Sequence, residues 1–166
     1  RDSGEPTGRK GKSGRKKLVY AGNLGHGYDL ETVISAVKLD PSLTLDIAGG
    51  GPKERCILEL VEKLNLKDRV QMHGYLSDVR LKALLASCDV GVIPMRDDSW
   101  VGIPNKLCDY LQAGLPVISS LHGECGDVLR TERLGSVYEY GSAQSLLGAL
   151  GELGDDPITF PPQFDA

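Results

Sequence analysis

A short polar stretch, Pro104-Asn105-Lys106 followed by Asp109, combines residue types that suit a phosphorylated ligand. It comes after a loop that contains Gly102 and is predicted to form the first turn of a helix beyond a strand end. The free N–H groups and positive dipole end of such a turn attract anions, and Asn105 and Lys106 add donors suited to a diphosphate. Lysine is slightly unfavourable for the helix here, which favours ligand binding. The simpler alternative is an exposed Lys and Asp on an ordinary amphipathic helix.

Glycine-rich turns are further candidates for an anion site. Residues 22–27, Gly-Asn-Leu-Gly-His-Gly, lie between a predicted strand and a predicted helix, although a tight turn that merely needs glycine is the alternative. Their spacing differs from the G-x-G-x-x-G of dinucleotide folds. Residues 49–51, all glycine, occupy the place of an acidic ribose ligand, which argues against NAD. Residues 8–13 resemble a Walker loop, but Pro6 replaces its first glycine and no strand precedes it.

These candidate residues are embedded in an alternation of short apolar strands and amphipathic helices. Strands are predicted over residues 17–21, 43–48, 70–73, 89–93, 116–119 and 135–138. Helices are predicted over residues 29–39, 52–64, 77–87, 104–113 and 142–153, with Asp29 and Ser77 as N-caps. The alternation predicts an α/β, Rossmann-like doubly wound parallel sheet of about six strands with helices on both faces.

Ligands of such sheets bind beyond the carboxyl ends of the strands, where the strand order reverses. Functional residues are therefore expected in the segments 22–28, 49–53, 74–75, 94–106 and 120–127.

The length of 166 residues suits one domain, predicted over residues 18–154. Residues 1–17 are basic and rich in Gly and Ser, which is typical of a flexible linker or tail, and residues 155–166 are predicted to be an irregular tail. The net charge of −4 argues against nucleic-acid binding. No apolar run approaches the roughly 18 residues of a membrane span, and no signal peptide is visible.

The four cysteines and three histidines are scattered singly. Without a paired C-x-x-C spacing, the cysteines indicate a reducing, cytoplasmic setting, and the three in apolar segments are expected to be buried. No metal site is expected from these spacings. The cysteines are Cys56, Cys88, Cys108 and Cys125.

Residues 17–150 together resemble the C-terminal domain of GT-B glycosyltransferases of the group 1, family 4 type. The segments that carry the resemblance occur in the family's order. They are the strand and glycine loop at 19–25, the G-x-G-P turn at 47–52, the strands at 68–75 and 87–94, and the helix and G-x-P-V strand at 104–118. The resemblance implies that the chain is one half of a GT-B fold and binds a nucleotide-sugar donor.

Asp109 matches the second Glu of the family's E-x7-E motif, which holds the ribose hydroxyls. Val101 replaces the first Glu, which contacts the sugar, and Asn23 replaces the Arg that grips the diphosphate. Residues 26–29 also lack the usual Lys, so Lys106 is expected to supply the phosphate charge. Tyr75 falls in the base-binding loop, although a buried aromatic is an equal alternative. The donor contacts that the resemblance implies are Gly22, Asn23, Leu24, Gly25, Gly51, Tyr75, Gly102, Ile103, Asn105, Lys106 and Asp109.

The resemblance implies a cytoplasmic enzyme that transfers a sugar, with retention, from a UDP- or GDP-sugar to a glycan, lipid or other acceptor. It implies no cofactor and no metal. The acceptor-binding N-terminal domain would come from the same parent chain or a separate one, and through it the protein could associate with the inner face of the membrane. The alternative is a non-catalytic Rossmann-like module that scaffolds a partner glycosyltransferase. A weaker alternative is a nucleotide-sugar epimerase, whose acid–base residues cannot be located.

Overall fold

Short aliphatic runs form the strands of one six-stranded parallel sheet in a computed structural model that describes residues 16–98 and 102–153. The strands are β1 (Lys16–Ala21), β2 (Leu43–Ala48), β3 (Val70–Gly74), β4 (Val90–Ile93), β5 (Val117–Ser119) and β6 (Gly135–Val137). Their order is β3-β2-β1-β4-β5-β6, so the direction of winding reverses between β1 and β4. This is the doubly wound arrangement that the alternation predicts, and it places the switch-point crevice beyond the ends of those two strands.

One described helix follows each strand, so five helices connect strands and the sixth follows β6. They are α1 (Leu30–Leu39), α2 (Glu54–Lys63), α3 (Asp78–Ser87), α4 (Asn105–Gln112), α5 (Glu124–Thr131) and α6 (Ala143–Glu152). The predicted caps are confirmed, because the side chain of Asp29 accepts from the N–H of Thr32 and that of Ser77 accepts from the N–H of Arg80. These bonds satisfy N–H groups that a helix cannot satisfy internally.

Helices cover both faces of the sheet, as predicted. Apolar side chains of α1, α2 and α6 form one buried cluster, and those of α3, α4 and α5 form the other. Strand β4 is buried at all four of its positions, which explains its continuous apolar sequence. The sheet is therefore the rigid layer that carries the loops at its carboxyl edge.

Helix α5 is absent from the sequence-based prediction, which has only a loop after β5. The helix is eight residues long, contains Gly126 and has Gly123 at its N-cap without a side-chain cap. A side-chain cap is absent, and the burial of Cys125 and Leu129 against the sheet stabilises the helix. Segment 120–127, expected as a functional loop, is thus partly helical.

The cysteines divide into two buried and two exposed thiols. Cys88 and Cys125 are buried, whereas Cys56 on α2 and Cys108 on α4 are exposed. The expectation of three buried thiols is therefore wrong for one of them. Helices α2 and α4 are amphipathic, and each carries its cysteine on the face that points to solvent.

We expect a thiol reagent to modify Cys56 and Cys108 rapidly in the native chain and to spare the other two cysteines. Burial, and next the charge of Asp46, raise the pKa of the Cys88 thiol to about 11, and burial also raises the pKa of Cys125. Because the thiolate is the nucleophile, both buried groups lack the reactive form as well as access. Labelling followed by peptide mapping checks this, with the Cys56→Ser/Cys108→Ser variant as control. Equal labelling of all four cysteines without denaturant would contradict it.

Candidate functional site

The loops that follow β1, β2 and β3 meet main chain to main chain at the carboxyl edge of the sheet. The N–H of Gly22 donates to the carbonyl of Ala48 at 2.9 Å, and that of Gly49 donates to the carbonyl of Gly74 at 2.8 Å. The N–H of Leu24 donates to the carbonyl of Gly50 at 3.0 Å. The hydrogen-bond pattern of the sheet thus continues past the strand ends and forms a floor without side chains.

Glycine is required where these loops cross. A Cβ atom on Gly49 would lie 1.8 Å from the carbonyl oxygen of Gly22, and one on Gly51 would lie 2.7 Å from that of Leu24. The side chain of Leu24 is fully buried, and its N–H and C=O are both bonded within the loops. Donor contact by Gly51 and Leu24 stays a prediction, and the structure gives both a role in holding the floor together.

A cavity of about 340 Å³ opens above this floor. It brings together four of the predicted donor-binding residues, namely Gly22, Asn23, Tyr75 and Asp109. Tyr75 is 90% exposed, so the alternative of a buried aromatic at this position is wrong. Asp109 is also exposed. The cavity thus has the aromatic ring of Tyr75 and the carboxylate of Asp109 at its rim, and main-chain atoms at its base.

Lys106 is not among the residues that line this cavity, but its side chain reaches from α4 to Gly22, which does line it. Its Nζ lies 3.1 Å from the hydroxyl oxygen of Tyr28 and 4.3 Å from the centre of that ring. A Cβ on Gly22 would be only 3.0 Å from Nζ, so the ammonium lies directly over the glycine. Among the residues that the structure describes, none places a carboxylate within ion-pair distance of Lys106. The ammonium is therefore available to an anionic ligand.

Lys106 belongs to the first turn of α4, whose N-terminus is the predicted anion site. Its N-cap is Pro104, which provides no side-chain hydrogen bond, and Asn105 is exposed in the first turn. The uncapped N–H groups and the positive dipole end add to the charge of Lys106. The sequence-based interpretation of this turn as an anion site stays a prediction.

Tyr110 anchors α4 at the switch point. Its buried hydroxyl accepts from the N–H of Ala21 on β1 and donates to the carbonyl of Val92 on β4, both at 3.0 Å. Its ring packs on Gly91, where a Cβ would be 2.5 Å from ring carbons. Burial raises the pKa of this phenol, so its proton stays in place. Sequence reasoning missed this positioning role, because the two partners are main-chain groups of distant strands.

The remaining predicted contacts do not line the cavity. Gly25 packs near the Asn23 side chain, and Ile103 is partly exposed before α4. A Cβ on Gly102 would lie 2.8 Å from a carboxylate oxygen of Glu124, the first residue of α5. Glu124 falls in the segment 120–127 where functional residues are expected, although it is not one of the predicted donor contacts. Val101, the position that matches the sugar-contacting Glu, lies outside the described residues.

Residues 16–98 and 102–153 contain neither a metal-ligand cluster nor a helix that could span a membrane. No cluster of three or more His, Cys, Asp or Glu side chains in these ranges could hold a metal ion. None of their helices has the length and apolar character needed to cross a membrane.

Curated proteins with similar sequences are much longer than this chain. The curated Escherichia coli K12 protein WcaL, a putative colanic acid biosynthesis glycosyltransferase, is 31% identical over 118 residues, which are 68% of this chain and 29% of that protein. Glycogen synthase of Mycobacterium tuberculosis H37Rv is 24% identical over 153 residues, which are 90% of this chain and 36% of that protein. The chain therefore spans about a third of the length of these relatives.

Solved structures show the same fold. The Anabaena protein Alr3699/HepE, in complex with UDP, superposes with a TM-score of 0.70 at 16% identity, over 84% of this chain and 39% of that one. Sucrose-phosphate synthase from Thermosynechococcus elongatus gives a TM-score of 0.72 at 23% identity, over 84% and 36%. The sequence profile described as glycosyl transferases group 1 matches residues 7–162. This chain belongs to the glycosyl transferases group 1 family.

Proposed function

We propose that the chain is the donor-binding half of a GT-B glycosyltransferase and holds a nucleoside diphosphate sugar in the cavity above the glycine floor. The observation that carries this proposal is the Lys106 ammonium, which lies over Gly22 without a described carboxylate partner. A lysine at this place adds positive charge at the point where the switch-point crevice receives ligands. An anionic group of the ligand supplies the missing counter-charge.

The parts of the donor follow from the chemistry of the cavity. The diphosphate binds Lys106 and the first turn of α4, which offers main-chain N–H groups. The ribose hydroxyls donate to the carboxylate of Asp109, a hydrogen bond of a type that contributes about 1.5–3 kcal/mol. The base lies over the floor beside Tyr75. In the transfer step, Lys106 and the helix dipole stabilise the negative charge that develops on the departing nucleoside diphosphate.

The complete reaction needs an acceptor-binding domain, supplied by the rest of the parent chain or by a second chain. We propose a cytoplasmic enzyme that retains the configuration of the sugar, needs no metal or cofactor and acts on a glycan or lipid acceptor. Relatives named for colanic acid and amylovoran biosynthesis favour a polysaccharide acceptor. The UDP held by the Anabaena protein favours a UDP-sugar over a GDP-sugar.

Calorimetric titration of the full 166-residue chain with UDP, GDP and ADP tests the proposal. We expect saturable binding, strongest for UDP. Lys106→Met and Asp109→Asn should each weaken it by about tenfold, because each removes a charge-assisted contact. The matched controls are Lys63→Met and Asp68→Asn, which change exposed residues that do not line the cavity and should leave binding unchanged.

The same titration separates the proposal from its alternative. A non-catalytic scaffold module predicts association with a partner glycosyltransferase without nucleotide. If all three nucleotides fail to bind at millimolar concentration, the donor-binding proposal is wrong. If binding occurs but the Lys106 and Asp109 variants match their controls, the ligand lies elsewhere on the domain.

A further inference from the structure

The ammonium of Lys106 is enclosed by two tyrosines. It lies over the ring of Tyr28 at 4.3 Å and over that of Tyr20 at 5.4 Å from their centres. It donates a hydrogen bond to the Tyr28 hydroxyl, at 3.1 Å. Cation–π attraction and a hydrogen bond to the same ring restrict both the distance and the direction of the charge. Because an ammonium has three donors, this arrangement leaves two for a ligand.

The two tyrosines are themselves held firmly. Their rings pack edge to face, with centres 5.5 Å apart and planes at 63°. Tyr20 is fully buried on β1, and its hydroxyl donates to the carbonyl of Asn23. The ammonium of Lys106 therefore contacts tyrosine rings that are packed against each other and, through Tyr20, against the sheet.

The main chain of Tyr28 is fixed from two sides. Tyr28 forms an antiparallel bridge with Met95, beyond the end of β4. Its carbonyl accepts a hydrogen bond of 3.2 Å from Lys53, which is also paired with Glu31. The ring thus keeps its position relative to both strands of the switch point.

A lysine that is free in solvent loses much side-chain entropy when it binds a ligand. A lysine already held over Gly22 has lost most of that entropy on folding, so its contact with the ligand costs less. Tyr28 lies in the loop segment 26–29, which lacks the family's usual Lys. The ammonium of Lys106 on α4 reaches this segment, where it contacts the Tyr28 hydroxyl. The sequence therefore places the charge on one element and the group that orients it on another.

We propose that Tyr28 is a positioning residue for Lys106 and that it holds the ammonium at the diphosphate of the bound donor. The inference rests on the proposed function, because it assigns Lys106 to the diphosphate. It adds that the phenol matters through the lysine and not through contact with the sugar or the base.

A double-mutant cycle tests the inference on the full chain, with UDP and GDP as probes. We expect Tyr28→Phe, which keeps the ring and removes the hydroxyl, to weaken binding by about fivefold to tenfold. In the Lys106→Met background the same substitution should change affinity less than about twofold, because the group it positions is gone. Tyr140→Phe, a half-buried tyrosine that does not line the cavity, is the matched control and should bind as the wild type does.

Relocation of the charge gives a second readout that a merely structural tyrosine would not produce. Lysine and tyrosine side chains are similar in reach, so Tyr28→Lys combined with Lys106→Met puts an ammonium near the present site of the phenol oxygen. We expect this double variant to bind UDP more tightly than Lys106→Met alone. Its affinity should also regain the salt dependence that Lys106→Met loses.

The outcomes distinguish the two proposals. If the wild type binds UDP or GDP but Tyr28→Phe has no effect, or an equal effect in both backgrounds, the positioning role is overturned and the proposed function stands. If the wild type binds neither, the proposed function fails and this inference fails with it. Thermal unfolding of each variant with and without nucleotide separates loss of fold from loss of binding, since bound ligand raises the midpoint only in a folded chain.

Discussion

The Gly49→Ala substitution is expected to lower the free energy of unfolding by about 3 kcal/mol or more, a large part of the 5–15 kcal/mol that is typical of a domain. Gly49 has a φ of +135°, a conformation that L side chains rarely adopt, and strain of this kind costs about 1–3 kcal/mol. The added Cβ would also lie 1.8 Å from the carbonyl oxygen of Gly22. Because that oxygen belongs to the main chain, it cannot rotate away, and the crossing of the two loops must open.

Urea unfolding of Gly49→Ala and Gly50→Ala measures this effect against a matched neighbour. A Cβ on Gly50 meets nothing closer than a carboxylate oxygen of Glu54 at 3.7 Å, so this control should stay within about 1 kcal/mol of the wild type. Equal stability of the two variants would show that the loops do not cross as the structure places them. Because the floor is the base of the cavity, Gly49→Ala should also weaken nucleotide binding more than Gly50→Ala does.

Alkaline pH is expected to unfold the chain cooperatively. Tyr20, Tyr110 and Tyr138 are each at most 1% exposed, and burial raises the pKa of all three phenols. For Tyr138 the nearby carboxylate of Asp29 raises the pKa further. In the unfolded chain a tyrosine has a pKa of about 10. The folded state therefore keeps protons that the unfolded state releases.

The three protonated phenols contribute fully to the free energy of unfolding below a pH of about 10. As the pH rises above this value, the free energy of unfolding falls by about 1.4 kcal/mol per pH unit for each tyrosine. Urea unfolding at about pH 9 and about pH 11, followed by tyrosinate absorbance and circular dichroism, measures the loss. The three buried tyrosines should ionise together with unfolding, and ionisation without loss of structure would contradict their burial.

Tyr110→Phe is the control for this pH dependence. At neutral pH it should cost about 1–3 kcal/mol, because the N–H of Ala21 and the carbonyl of Val92 lose a buried partner. Above pH 10, however, its stability should fall less steeply than that of the wild type, because one phenol that must ionise is gone. A lower free energy of unfolding at neutral pH, combined with a shallower fall of that free energy above pH 10, distinguishes ionisation of Tyr110 from a general effect of base.

Local signals account for the elements that the sequence predicts well. Strand β2 is predicted with its exact bounds, because its apolar run is bounded on both sides by residues that interrupt strands. Helix α1 is predicted from Asp29, whose carboxylate forms the cap bond that the residue type implies. Helix α5 has no such signal, since a glycine stands at its N-cap and its stability comes from burial.

The candidate site is only partly predictable, for a reason of distance along the chain. Lys106 is identified from its place in the first turn of a helix, which is a local pattern. The phenol that orients it is 78 residues away in sequence, and no local pattern connects the two. Leu24 and Tyr75 are both predicted donor contacts, but the leucine is buried and the tyrosine is 90% exposed. Local sequence does not predict this difference in burial. Which side a loop residue faces depends on the neighbouring loops.

A floor made of main-chain atoms has a consequence for how this domain changes over evolutionary time. Main-chain N–H and C=O groups are common to all residues, so the base of the cavity persists as long as its glycines do. On the proposed function, the chemistry that distinguishes one ligand from another lies in the side chains that line the cavity, among them Asn23, Tyr75 and Asp109. New ligand preferences can therefore arise through a few substitutions in the cavity lining that leave the glycine floor unchanged. The fold and the ligand specificity can thus evolve separately.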